Sequence, residues 1–148
     1  MESQAKVSPE EVARKALDAF AAYKRHDLGP YFAMLAPDYV AHDPFAGDLK
    51  GEETIRKSNQ QLFKTFPDFE FRDVKVAARG DTLAVEYVIS GTFKAPLELG
   101  GHTVPPTGGH VESRAATIYR LNSEGLIVEG RNYYYDFAGF LKQLGLKA

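Results

Sequence analysis

Apolar residues recur with helical spacing near the start of the chain. Ser8 can cap a helix, Pro9 suits its first position, and Glu11 stands where a capping box needs an acid. Across 12–23 the apolar positions share one helical face. The Asp-Leu-Gly-Pro run at 27–30 stops this pattern. We therefore predict an amphipathic helix that begins at residue 9 and ends before that run.

A second long helix is predicted over 51–66, where Pro67 ends it. A short helix over 31–35 and a short strand over 38–43 precede it. Asn59 shares the apolar stripe of the long helix, so a buried Asn59 must either pair with the backbone or line a pocket. The apolar members of that stripe are Ile55, Leu62, Phe63 and Phe66.

Beyond residue 67 the hydrophobic period changes to two, which indicates strands. Within 69–76 the apolar parity flips, and this predicts a bulge near Arg72 and Asp73, because a slip of one residue turns side chains to the other face. The stretch 83–93 alternates cleanly. We expect its apolar parity to line the concave face of a sheet and to contact the helices; it comprises Leu83, Val85, Tyr87 and Ile89.

The remaining third of the chain predicts a loop, a hairpin and a last helix. Residues 95–109 are rich in Gly and Pro, and a loop of this length suggests a pocket lip. Strands over 110–121 and 126–135 flank a turn at 122–125, and a short helix follows from residue 137. This order predicts an α+β fold in which a curved sheet wraps over helices, as one domain over residues 1–148.

Charge and composition argue against several classes of function. The 148 residues carry a formal charge of −2 with scattered Lys and Arg, which argues against binding to nucleic acid or to an anionic membrane. The absence of cysteine excludes disulfides and thiolate sites, and the four histidines show no metal-ligand spacing, so we expect no metal. No leader-like start or membrane-length apolar run is present, and we predict a cytoplasmic protein.

Five stretches of the sequence form a set of motifs: YVAHDPFAG at 39–47, FPDFEF at 66–71, PPTGGHVE at 105–112, IYRL at 118–121 and the tail GLIVEGRNYYYDFAGFLKQLGL at 125–146. Together they resemble the motifs of the SnoaL-like polyketide cyclases. The resemblance covers most of the chain, and an aspartate followed by an apolar helix is its most specific part. This family belongs to the nuclear transport factor 2-like superfamily, with ketosteroid isomerases, scytalone dehydratase and limonene epoxide hydrolase.

The resemblance implies a cone-shaped barrel with a deep apolar pocket. Its strongly bent, mixed or antiparallel sheet has a concave face that helices close. Enzymes of the family use a pocket aspartate as a general acid–base, without metal or organic cofactor, and are commonly homodimers. The resemblance therefore implies a hydrophobic small-molecule ligand, no cofactor and a homodimeric state for this chain.

Asp136 and His42 are the predicted catalytic residues. Asp136 matches the aspartate that the family places before its last helix, but an Asp there is also a favoured N-cap. We expect its side chain to point into the cavity, where burial would raise its pKa toward the working range. His42 and Asp43 alternate along a strand, so only one can face the pocket. We choose His42, because an imidazole can donate to a substrate carbonyl.

Predicted substrate-binding residues are aromatic or amide side chains on the expected inner face. Tyrosines suit half-buried strands, and one or two could donate a hydrogen bond to a substrate oxygen. The predicted set is Asn59, Phe63, Tyr87, Tyr119 and Tyr134.

Three functions fit these sequence features. The first is acid–base chemistry on an apolar carbonyl compound, through aldol cyclisation, isomerisation or dehydration. The second is non-catalytic binding of a hydrophobic small molecule by the same fold. The third is epoxide hydrolysis, which would need Arg114 to point inward between Glu112 and Asp136, although strand parity favours an outward pair.

Overall fold

A six-stranded sheet, packed on one face against helices, organises the chain. The computed structural model describes residues 7–99 and 101–146. The helices are α1 (Pro9–Tyr23), α2 (Gly29–Ala33), α3 (Glu52–Thr65) and α4 (Phe137–Gln143). The strands are β1 (Leu35–Asp43), β2 (Gly47–Lys50), β3 (Glu70–Arg79), β4 (Thr82–Thr92), β5 (Leu97–Leu99), β6 (His102–Val104), β7 (His110–Leu121) and β8 (Ile127–Tyr134).

The strand order is β2-β1-β8-β7-β4-β3, with β1 and β8 parallel and the other neighbours antiparallel. The predicted α+β class is therefore confirmed, and the sheet is mixed. The sheet is open rather than closed into a barrel, because β2 and β3 are its two edges. Strands β5 and β6 pair only with each other in the described ranges.

Local signals in the sequence place most elements correctly. Ser8 caps α1 by accepting from the Glu11 N–H at 3.1 Å, which is the Ser8 half of the predicted capping box. The predicted bulge is confirmed: the β3–β4 register shifts between Arg72 and Lys75, and Asp73 has φ = 53°. Two predictions need correction. Strand β1 begins at Leu35, and the long loop contains the β5–β6 hairpin.

The core lies between the helices and the inner face of the sheet. Leu83 and Val85 on β4 are fully or almost fully buried, as clean alternation predicts. Tyr87 and Ile89 continue the same face, and the Phe20 ring of α1 lies 5.5 Å from the Tyr87 ring. The predicted inner face of β4 is thereby confirmed, and it forms one wall of a cavity.

Candidate active site

A cavity of about 490 Å³ opens between α1, α3 and the inner face of the sheet. Its walls are mostly apolar and aromatic. The rim includes the β5 residues Leu97–Leu99, so the prediction that this segment forms a pocket lip agrees with the lining. Six of the eight tyrosines line the cavity: Tyr23, Tyr31, Tyr39, Tyr87, Tyr119 and Tyr134.

The cavity tyrosines remain protonated at neutral pH. Burial is the first cause, because it disfavours the phenolate. Neighbouring phenols and, for two of these side chains, the Asp43 carboxylate act in the same direction. The pKa is raised above its ordinary value for Tyr23, Tyr31, Tyr39, Tyr87, Tyr119 and Tyr134. The cavity is therefore lined with neutral phenol groups that keep their O–H hydrogens.

Asp43, at the end of β1, brings a carboxylate into this cavity. Its Oδ1 accepts from the backbone N–H groups of Phe45 and Ala46, at 2.7 and 3.1 Å. Its Oδ2 accepts from Asn132 Nδ2 at 2.7 Å and faces the Tyr134 hydroxyl at 3.4 Å. The turn after β1 and strand β8 together fix the direction of this carboxylate.

Asn132 belongs to a longer row of polar side chains across three strands. Thr117 Oγ1 on β7 lies 2.7 Å from Asn132 Oδ1, and the Tyr87 hydroxyl on β4 lies 2.7 Å from Thr117 Oγ1. Thr117 pairs directly with Asn132 in the β7–β8 register, so their side chains share the inner face. Thr117 and Tyr87 are 4% and 5% exposed. A row of polar side chains thus runs from the buried middle of the sheet to the half-buried Asp43.

Comparison with known proteins shows the family to which this chain belongs. The model of a family described as "SnoaL-like domain" matches residues 16–130. The chain belongs to the SnoaL-like family. IdmH from Streptomyces antibioticus, a candidate polyketide cyclase, is 29% identical with a TM-score of 0.67, over 92% of this chain and 99% of that one. AclR from Streptomyces galilaeus, a candidate hydroxylase, is 25% identical with a TM-score of 0.74, over 93% and 98%.

A candidate SnoaL-like polyketide cyclase from Jannaschia sp. CCS1 shares the fold. It is 21% identical with a TM-score of 0.75, over 97% of this chain and 98% of that one. No curated protein matches the chain significantly. The recognised family and superfamily are thereby confirmed, while the solved neighbours carry names of more than one reaction type.

His42 faces away from the cavity of this SnoaL-like chain. Its Nδ1 lies 2.7 Å from Asp48 Oδ1, and its Nε2 lies 2.9 Å from Glu129 Oε2. These hydrogen bonds, the Asp48 bond first, raise the pKa of His42 above its ordinary value. One of the two neighbours does face inward, as alternation predicts, but it is Asp43 and not the predicted His42. Asp43 lines the cavity, and His42 joins a cluster of charged side chains on the outer face.

Asp136 caps α4 and lies outside the cavity lining. Its Oδ1 accepts from the Gly139 N–H at 2.9 Å, and the residue is exposed. The prediction that its side chain points into the cavity is therefore wrong. The reason is local: β8 ends at Tyr134, and the turn that follows breaks the alternation that would have carried Asp136 inward.

The predicted substrate-binding residues divide into two groups. Asn59 lines the cavity and also donates to the Ile55 carbonyl of its own helix at 2.8 Å. It therefore both lines the pocket and pairs with the backbone, which the sequence offers as alternatives. Phe63 does not line the cavity; its ring stacks on His26 with centroids 4.0 Å apart. The remaining three predicted residues, Tyr87, Tyr119 and Tyr134, all line the cavity.

The outward position of Arg114 argues against the epoxide hydrolase arrangement. Arg114 and Glu112 are both exposed, and Glu112 pairs with Arg72 on β3. Within the described residues, no three His, Cys, Asp or Glu side chains come close enough to hold a metal ion. The described helices include none long and apolar enough to cross a membrane.

Sequence reasoning missed Asn132 and Thr117 as cavity residues, although strand parity carried the signal. Asn132 stands two residues before Tyr134, and Thr117 stands two residues before Tyr119. Side chains two apart on a strand share a face. The sequence predicts that both tyrosines face the pocket, and the same parity predicts that the polar residues beside them face it as well.

Proposed function

We propose that this protein catalyses proton transfer at the carbon next to the carbonyl of an apolar compound, with Asp43 as the general base. The observation that carries the proposal is a half-buried carboxylate, fixed by backbone and amide donors, at the polar end of a tyrosine-lined cavity. Proton transfer by a positioned side chain typically contributes about 10²–10⁴-fold to a rate.

The hydrogen bonds of Asp43 indicate where the proton would go. A carboxylate has about four lone-pair sites. The contacts from Phe45, Ala46 and Asn132 are 2.7 to 3.1 Å long and occupy three of them. The Tyr134 hydroxyl, at 3.4 Å, lies beyond the usual O–H···O range of about 2.5–3.0 Å. The fourth site, on Oδ2, holds only this long contact, so a substrate C–H that displaces the Tyr134 hydroxyl would reach the carboxylate there.

In the proposed step the C–H bond breaks, an O–H bond forms on Asp43 Oδ2, and the electron pair moves to the carbonyl oxygen as an enolate. A cavity tyrosine donates a hydrogen bond to that oxygen, since its raised pKa keeps its proton in place. Return of the proton at another carbon gives isomerisation. Attack of the enolate on a second carbonyl of the same molecule gives aldol cyclisation.

The test uses 2-tetralone, a bicyclic apolar ketone with activated C–H groups. Proton NMR in D₂O follows the loss of its C1 protons. We expect the wild-type protein to accelerate this exchange and Asp43→Asn to lose about 10²–10⁴-fold of the enzymatic rate. Asn keeps the size of the side chain and removes the basic oxygen.

Glu98 offers a matched control, because it also lines the cavity but is exposed at the rim and accepts from Thr103. Glu98→Gln makes the same change of charge and should exchange 2-tetralone at close to the wild-type rate. Equal loss in both variants would show a general charge effect and contradict the assignment of Asp43.

The alternative is a binder of hydrophobic small molecules, favoured by the apolar character of most of the cavity wall. Fluorescence of 2-naphthol, a stable analogue of the enol of 2-tetralone, measures binding separately from turnover. Wild-type protein that binds 2-naphthol without accelerating exchange would be a binder, and the proposed reaction would be wrong.

A further inference from the structure

We propose that Asn132 is a positioning residue for Asp43, and that Thr117 and Tyr87 set its orientation through a one-way row of donated hydrogens. This inference rests on the proposed function only where it predicts how these residues change the catalytic rate. The row itself is a property of the folded protein.

The direction of every hydrogen in the row follows from the chemistry of its end. An ionised carboxylate can only accept, so the Asn132 side chain must turn its NH₂ group toward Asp43. The Asn132 carbonyl oxygen then faces Thr117, whose hydroxyl must donate to it. A threonine hydroxyl has one hydrogen, so the Tyr87 hydroxyl must donate to Thr117.

The direction of the row limits the role available to Tyr87. Its hydroxyl lines the cavity, but its single hydrogen is directed to Thr117. In this arrangement Tyr87 can accept a hydrogen bond from a ligand and cannot donate one to an enolate oxygen. The donor for that oxygen must come from another cavity group, and Tyr39 and Tyr119 are available on the same wall.

The row gives Asp43 a defined resting geometry. At 2.7 Å, Asn132 occupies one lone pair of Oδ2 and leaves the one near Tyr134 as the reactive site. If the amide turned over, its carbonyl oxygen would face the carboxylate, and the repulsion would push Asp43 aside. The Thr117 hydroxyl opposes that turn from 2.7 Å, because it offers a hydrogen only to the carbonyl end. Thr117 therefore acts on Asp43 without touching it.

The first experiment reads the row without any reaction. The side-chain NH₂ signals of Asn132, identified by their loss in Asn132→Leu, should include one proton shifted downfield by the carboxylate. Asp43→Ala should remove that shift. Thr117→Val, which replaces the hydroxyl by a methyl group of similar size, should also reduce it, and Thr117→Ser should retain it. Retention in Thr117→Val would overturn the inference.

The second experiment measures 2-tetralone exchange in the same variants. Asn132→Leu should lower kcat by up to about 10²-fold with little change in KM, because a misplaced base fails in the reaction rather than in binding. Thr117→Val should lower kcat by at most about tenfold, the equivalent of one hydrogen bond. Thr117→Ser should keep kcat close to that of wild type, and Tyr87→Phe should lower kcat less than Thr117→Val does.

The outcomes separate the two proposals. Exchange that is lost in Asp43→Asn but unchanged in Asn132→Leu would leave the proposed function standing and overturn the positioning role. No exchange in the wild type would overturn the proposed function, while the NMR series would still decide the row. A larger loss in Tyr87→Phe than in Thr117→Val would mean that Tyr87 donates to the substrate, and the one-way row would be wrong.

Discussion

Gly130, in the middle of β8, lets two cavity tyrosines approach the backbone of the sheet. A Cβ atom placed at this position would lie 2.7 Å from the Tyr39 hydroxyl oxygen and 2.9 Å from Cδ1 and Cε1 of Tyr119. Nonbonded carbon atoms prefer separations of about 3.5–4.0 Å, so Gly130→Ala forces at least one ring to move. Both rings line the cavity, and the change should therefore affect stability and ligand binding together.

The expected loss of stability has two parts. Overpacking a well-packed site destabilises by about 1–3 kcal/mol. Replacing Gly by Ala where the backbone tolerates it restricts the unfolded chain and returns about 0.4–1 kcal/mol. Gly130 is not among the described glycines with positive φ, so this second effect applies. Urea denaturation should give a net loss of about 1–2 kcal/mol in the free energy of unfolding, and 2-naphthol should bind more weakly.

A double variant tests whether the contact itself is responsible. Gly130→Ala combined with Tyr39→Phe removes the oxygen at 2.7 Å and should recover part of the lost stability, while the Tyr119 contacts keep the recovery incomplete. Gly109→Ala is the matched control. Its Cβ would meet only the Thr107 hydroxyl at 3.3 Å, in an exposed segment. Wild-type stability in Gly130→Ala, or no recovery in the double variant, would refute the reasoning.

Three further predictions concern two side chains outside the cavity and the oligomeric state of the protein. Asp136→Asn should leave both stability and 2-tetralone exchange close to wild type, because Asn is an equally good N-cap, whereas Asp136→Ala should lose about 0.5–2 kcal/mol of stability in urea titrations. The pKa of His42 is raised, and the pKa values of Asp48 and Glu129 are lowered. The stability advantage of wild type over His42→Asn should therefore be greatest at about pH 5–6, where the imidazole is protonated and both carboxyl groups are ionised. The advantage should shrink as pH rises through the raised pKa of His42 and as pH falls through the lowered pKa values of the two carboxyl groups. Urea denaturation at several pH values measures it, and an advantage that does not depend on pH would contradict the ion pairs. The protein should be a homodimer at micromolar concentration, and a monomer mass in light scattering would exclude this.

Local sequence determined the elements and the faces that they bury. The Ser8 cap marked the start of α1, and the alternation in 83–93 identified the inner face of β4. The parity flip located the bulge at Arg72 and Asp73. Each of these signals is contained in a dozen residues or fewer, because caps, periodicity and bulges depend on neighbours in the chain.

Tertiary structure decided which carboxylate enters the cavity. Alternation showed that His42 and Asp43 face opposite sides, but it could not say which side is inside. That choice depends on the pairing of β1 with β8, a strand whose Asn132 binds Asp43 across 89 positions of sequence. The position of Asp136 depends in turn on where β8 ends and its turn begins. Sequence periodicity shows which neighbouring residues share a face of a strand. Which of the two faces lines the cavity is decided only when strands from distant parts of the chain pair with one another.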